Sequence, residues 1–277
     1  MTGKGSAGSW KIRGEQLGKA IGADVTQSPN GEYDLSILVK KAHPELLKKL
    51  SGKVIYDIVD AWPQPQGNQW GRARVIDWLH GQINTIKPAG IVAATKRMAI
   101  DCQAFGVPVL ALEHHARPNL RKNPIRKEVR TVGYEGAPEY LGQWRKVLEA
   151  ECHKRGWQFC LGPQELADLD IVVALRDCSG YAARHYKSNV KLANAQGSGT
   201  PVICNRESGY LETASGAEHW ADTKEELIRS LDVLSDYETR LELSAELVNA
   251  APKLERVAAK YKTWLQRLNS STPDNLR

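Results

Sequence analysis

RHYKSNVKLANAQGSGTPVICNRESGYLE, residues 184–212, is the stretch that decides the fold. Lys187 and Lys191 stand four apart and share one face of a helix that continues over 190–196. Gly197, Gly199 and Pro201 mark a tight turn, and the apolar run at 201–205 reads as a buried strand. Glu207, Gly209 and Glu212 follow on the loop that opens another helix at 207–213. Helix, turn, strand and loop in that order belong to a parallel α/β sheet, where ligands gather beyond the carboxyl ends of the strands. A helix N-terminus preceded by cations is a seat for a diphosphate. Arg184, Lys187 and Lys191 supply the cations, with Asn189 among them, and a carboxylate on the next loop can accept hydrogen bonds from ribose or sugar hydroxyls. The competing reading is a solvated basic helix followed by an acidic cap.

The same alternation extends outward in both directions. Toward the N-terminus, strands are expected at 34–39, 53–59, 90–94 and 107–112, and helices at 10–21, 43–50, 69–86 and 96–105. Within 69–86, Ile76, Leu79, Ile83 and Ile86 recur at helical steps. A basic stretch with two prolines, HHARPNLRKNPIRK at 114–127, suits a connection between domains. Strands then restart at 129–134, 157–161, 169–175 (LDIVVAL at its core) and 201–205, with a helix at 138–155. Residues 223–268 read as helical, broken at Pro252. The expected fold class is α/β, with two doubly wound parallel-sheet, Rossmann-like domains facing a cleft. Residues 1–127 form the N-terminal, acceptor-side domain, and 128–250 form the C-terminal, donor-binding domain. Residues 251–277 form a helix packing back toward the first domain.

Composition bounds the class. A chain of 277 residues with 42% hydrophobic content can build one large core or two domains of about 100–150 residues. No apolar run approaches the ~20 residues that span a bilayer, and residues 1–9 lack the apolar core of a secretory signal. A cytoplasmic protein is expected. Cys102, Cys152, Cys160, Cys178 and Cys204 are odd in number and widely spaced, which disfavours a disulfide framework or a zinc site. The net charge of +6 favours anionic partners without choosing among phosphates, nucleic acid and a membrane surface.

Several loops can carry chemistry. GKGSAG at 3–8 fits G-x-G-x-x-G, but only Met1 and Thr2 precede it, so the strand that a dinucleotide fingerprint needs is missing. That leaves a glycine-rich loop lining the cleft, with Gly8 and Ser9 at the start of the first helix, or a floppy terminus. Asp60 ends an apolar strand, where a carboxylate can act as general base toward a hydroxyl acceptor or cap the following turn. His114 and His115 read as hinge or cleft-wall residues rather than metal ligands, and Asp168-Leu169-Asp170 as a turn. No metal site is expected.

The stretch KSNVKLANAQGSGTPVI with RESGYLE after it resembles the C-terminal half of the GT-B glycosyltransferases. VRTVGYEGAPEYL at 129–141 is similar to the first strand and loop of that half, and GSWKIRGEQLGKAIGA at 8–23 to the family's first loop and helix. The resemblance implies a nucleotide-sugar donor of UDP or GDP type as co-substrate, with no tightly bound cofactor. Gly8, Ser9, Arg184, Lys187, Asn189, Lys191, Glu207, Gly209 and Glu212 are then the donor-binding candidates, with Asp60 the catalytic candidate. The lysines would neutralise the leaving diphosphate. Members with a Glu-x7-Glu motif place acidic residues where this chain has Tyr186 and Asn194, so Glu207 or Glu212 would take over the ribose. The acceptor is open: a glycan, a lipid-linked or small molecule, or a hydroxymethylated pyrimidine in DNA, which the basic balance and eight tryptophans suit. No obligate protein partner is evident. An inactive GT-B-like protein binding a nucleotide sugar or nucleic acid is the alternative, and a nucleotide-binding α/β enzyme of other chemistry is a third.

Overall fold

The computed structural model describes residues 1–3, 8–41, 43–60, 69–177 and 179–270. Within them lie two five-stranded parallel sheets. The first runs in the order β1 (Thr2–Gly3), β2 (Leu35–Val39), β3 (Lys53–Asp57), β4 (Gly90–Ala93), β5 (Val109–Ala111). The second is built from β6 (Thr131–Tyr134), β7 (Gln158–Leu161), β8 (Ile171–Ala174), β9 (Val202–Cys204) and β10 (His219–Trp220), in the order β10-β9-β8-β6-β7. Strands β4 and β8 are apolar throughout because both sheet faces are covered: all four residues of each are buried.

On one face of the first sheet lie α2 (Pro44–Leu47), α3 (Arg72–Ile86) and α4 (Lys96–Cys102). Val75, Leu79, Ile83 and Ile86 form the buried stripe of α3, with Ile76 half-buried at its edge. The opposite face is covered by a π-helix (Trp10–Leu17), its continuation α1 (Gly18–Ile21) and the returning C-terminal helix α11 (Leu254–Ser270). Val257, Ala258 and Tyr261 of α11 share one cluster with Ile55, Val92 and Leu112. The second sheet packs α5 (Trp144–Lys154) and α9 (Lys224–Val233) on one face and α7 (Val190–Ser198) and α10 (Tyr237–Ala250) on the other. Thr223 and Glu226 close a capping box on α9. Two short helices complete the second half, α6 (Tyr181–His185) and α8 (Ser208–Leu211).

The structure corrects four sequence expectations. The strand thought missing before the glycine-rich loop exists: Thr2 pairs with Leu38 and Gly3 with Val39. Two residues are too short a run for any periodicity to reveal. Lys4 to Ala7 of that loop, Trp62 and Pro63 beside Asp60, and Cys178 lie outside the described residues. The first helix is π-wound over its first eight residues. Its Trp10 indole lies against Gly14, where an added Cβ would collide with the ring. The helix expected over 138–155 starts late, because Gly142 takes φ +54° between a 3₁₀ turn at Pro138–Tyr140 and α5. Helix α6 and strand β10 had no counterpart in the sequence reading.

Helix α6 belongs to the second half in sequence but packs into the first. Ala182 and Tyr186, both 0% exposed, sit in the cluster of Tyr56, Leu79 and Met98. The Ala182 amide donates to the Trp70 carbonyl (3.2 Å), and Thr95 Oγ1 donates to the His185 carbonyl (2.8 Å). Among the described residues no helix is long and apolar enough to cross a membrane.

Candidate functional site

The strands of both sheets end toward the gap between the halves, and charged side chains follow several of them directly. After β8 comes Arg176, buried, with its Nε 2.6 Å from the Glu207 carboxylate and its Nη2 donating to Tyr210 Oη (3.0 Å). Its amide donates to Asn205 Oδ1 (2.6 Å), which ties the end of β8 to the end of β9. Lys187 is 2% exposed, with Nζ 5.6 Å from the centre of the Tyr140 ring. Lys191, in the first turn of α7, donates from Nζ to Tyr134 Oη (2.6 Å) at the end of β6.

Charges gathered this closely out of water are costly unless something anionic joins them. Burial, then the neighbouring Arg176 guanidinium, lowers the Lys187 ammonium to about 7. The same two causes, in the same order, push Lys191 well below the ordinary lysine range. Glu207 offsets part of this charge from the loop after β9. From the first half, Asp60 follows β3, is held by Lys40 Nζ at 2.6 Å, and lies near enough to Lys187 and Tyr140 to act on both. Glu135, after β6, is paired with Arg117 and accepts from Asn194 Nδ2 on both oxygens (3.1 and 3.0 Å). Arg176 with Glu207, Lys40 with Asp60 and Arg117 with Glu135 thus surround Lys187 and Lys191 at the strand ends.

Of the residues singled out from sequence, the structure brings Lys187, Lys191 and Glu207 together and sets Asp60 opposite them. Gly209 supports them from α8: an added Cβ would stand 2.5 Å from the Lys187 carbonyl oxygen, so only glycine lets α8 approach that close. The other candidates have different surroundings. Asn189 is buried, and its carboxamide holds both backbone groups of His114, accepting from N (2.7 Å) and donating to O (3.1 Å), so it pins the connection between the halves. Glu212 accepts from the amides of Lys96 (2.6 Å) and Arg97 (3.2 Å), and so caps α4 of the first half. Arg184 is exposed on α6. Gly8 is exposed and Ser9 half-buried before the π-helix, where the Ser9 side chain makes no capping bond.

Sequence reading missed Arg176, Glu135 and Lys40. The signal for Arg176 was present: it is the first charged residue beyond the most apolar strand, as Asp60 is beyond β3. Glu135 had no signal, because its partner Asn194 is 59 positions away. His114 and His115 line the inner wall of the first half: His115 faces Gln16 (2.9 Å), and burial followed by Arg13 lowers its imidazole to about 4. Asp170 receives the amides of Arg130 and Thr131, the structural role its turn suggested.

Two parallel α/β halves with strand ends facing one gap, joined by a C-terminal helix that returns to the first half, define the GT-B class of fold. Solved structures of glycosyltransferases share that fold with this chain. WaaG, a glycosyltransferase involved in lipopolysaccharide biosynthesis, aligns with a TM-score of 0.60 at 12% identity, over 95% of this chain and 97% of its own. Anabaena HepE, solved in complex with UDP and glucose, aligns at 0.58 and 12%, over 87% and 78%. Sucrose-phosphate synthase from Thermosynechococcus elongatus gives 0.58 and 10%, over 87% and 75%. No family model matches the sequence, and no curated protein sequence matches it.

Proposed function

We propose that this protein is a glycosyltransferase that moves a sugar from a nucleotide-sugar donor of UDP or GDP type to a hydroxyl acceptor. One observation carries the reading: the buried Arg176 and Lys187 and the half-buried Lys191 converge at the strand ends beside the first turn of α7. A diphosphate is the group whose charge would relieve their mutual repulsion. Glu135, steadied by Asn194 and Arg117, offers a carboxylate to the ribose hydroxyls. It stands beside the helix position where the resemblance calls for an acidic residue.

In the transfer, the acceptor oxygen forms a bond to the anomeric carbon as the bond from that carbon to the diphosphate oxygen breaks. The diphosphate leaves with the electron pair and is stabilised by the three cations. The acceptor proton passes to Asp60 across the gap. The acceptor we propose is a hydroxymethylated pyrimidine in DNA, supported by the net charge of +6.

A thermal-shift panel of UDP- and GDP-sugars against NAD tests the donor, followed by transfer assays on hydroxymethylated DNA. A UDP- or GDP-sugar is expected to raise the melting temperature where NAD does not. Lys191→Ala is expected to weaken donor binding by roughly 10–100-fold, the worth of one charge-assisted hydrogen bond. Asp60→Ala should leave donor binding near wild type and abolish transfer. No stabilisation by any nucleotide sugar, or a larger donor loss in Asp60→Ala than in Lys191→Ala, would refute the assignment.

A further inference from the structure

Outside the cation cluster, a second group of arginines is assembled where α6 meets the first half. Arg72 donates from Nε and Nη2 to Asp101 Oδ1 (3.3 and 2.8 Å). Arg97 donates from Nε to Tyr181 Oη (2.7 Å) and lies 3.6 Å from the same carboxylate. The guanidinium of Arg74 covers the Trp70 ring at 4.7 Å. Tyr181 packs on His185 (4.5 Å between ring centres), and both Arg97 and Arg184 act on that imidazole. The guanidiniums reach solvent: the side chain of Arg72 is 58% exposed and that of Arg97 37%, and Arg74 and Arg184 are exposed residues.

The neighbouring carboxylates do not cancel this face. Asp101 is buried beneath it, and Glu212 is turned onto the α4 amides, which leaves Asp77 as an exposed carboxylate on α3. An ion pair made only to position Asp101 would need neither Arg74 nor Arg184. Planar guanidiniums interleaved with Trp70 and Tyr181, two of them held in place by one carboxylate, fit a ligand that repeats phosphates and flat bases. The face also spans both halves, so a polymer lying on it would contact acceptor and donor domains together.

We infer that the face formed by Arg72, Arg74, Arg97 and Arg184 with Trp70 and Tyr181 is a docking surface for the sugar-phosphate backbone of a nucleic acid. The inference deepens the proposed acceptor, and on that point it rests on the transferase reading. Its geometry is independent of the donor cluster. Ile100 and Leu211, each 52% exposed, make an anionic membrane the alternative occupant to be tested.

The experiment is fluorescence anisotropy of the full chain with a short labelled duplex DNA across a salt series, alongside sedimentation with phosphatidylglycerol vesicles. The informative variant is Arg74→Gln/Arg184→Gln, because neither residue holds Asp101. Wild type is expected to bind duplex DNA with a steep salt dependence. The double variant is expected to bind at least about tenfold more weakly, with the slope of log K against log salt reduced by about 2. Arg74→Gln alone, at a residue outside the donor-binding candidates, should keep the wild-type thermal shift with nucleotide sugars. No DNA binding by wild type at low salt, unchanged binding by the double variant, or binding to vesicles in place of DNA would each overturn the surface. If DNA binds as described but no nucleotide sugar stabilises the protein, the transferase reading falls and the docking surface stands. If a nucleotide sugar stabilises the protein but DNA does not bind, the docking surface falls and the transferase reading stands.

Discussion

Lys187 has the most to say about mechanism. Its ammonium is lowered to about 7 by burial first and Arg176 second, so near neutrality the empty site holds it partly uncharged. A diphosphate would favour the charged form, so donor binding above pH 7 must take up a proton. Donor affinity is therefore expected to be greatest below about pH 7 and to fall as pH rises, by up to tenfold per unit for one linked proton. Lys187→Arg, which keeps its charge throughout, should flatten the profile. Isothermal titration across roughly pH 6 to 9 checks both, and parallel profiles for the two proteins would remove Lys187 from the donor site. The free protein behaves oppositely. Between about 7 and the unfolded lysine value near 10.5 the unfolded chain binds more protons at this site than the folded one, so this group's contribution makes stability rise with pH.

At the level of elements, the joint between α4 and α6 is one of the contacts that fix the arrangement of the halves. The buried Asp101 carboxylate accepts from Arg72, Tyr181 (2.6 Å) and Tyr186 (3.0 Å), and the last two come from the other half of the chain. Burial pushes its carboxyl up, but the bonds from Tyr181, Arg72 and Tyr186 outweigh that and hold it below the usual carboxylate range. Its stabilising effect is therefore present at neutral pH and lost as pH falls through that depressed value. Asp101→Ala would leave two tyrosine hydroxyls without their acceptor at a packed joint. We expect a loss of about 1–3 kcal/mol in urea unfolding, the range for leaving a buried hydrogen-bonding group without its partner. A change within about 0.5 kcal/mol, as for an ordinary surface substitution, would show that the joint does not hold the halves.

For the molecule as a whole, two crossings tie the halves: α6 enters the first core from the second half, and α11 returns to cover the first sheet. The first half closes its apolar surface only with α6 and α11 from the later part of the chain, while the apolar clusters of the second half draw on residues 129–247 alone, so the first core cannot stand without elements anchored in the second half. The two halves are therefore expected to unfold together. Circular dichroism of the whole chain and fluorescence of Trp144, buried against the second sheet, should trace one coincident urea transition. A first transition that leaves Trp144 buried would mean that the halves are independent.

The sequence by itself determined most of the alternation of helix and strand, because short apolar runs between amphipathic segments are the mark of buried strands in a parallel sheet. It also singled out Glu207 and Asp60 by their position after a strand and Lys187 and Lys191 by their four-residue spacing, and the structure gathers these side chains near the strand ends. Tertiary structure alone decided the rest. It drew Arg176 and Glu135 into the site, turned Glu212 and Asn189 from ligands into a helix cap and a hinge pin, paired Thr2–Gly3 as a strand, and carried α6 across the gap. Those outcomes depend on groups tens of positions apart meeting in three dimensions, and hydrogen-bond partners at that distance leave no periodic mark on the chain.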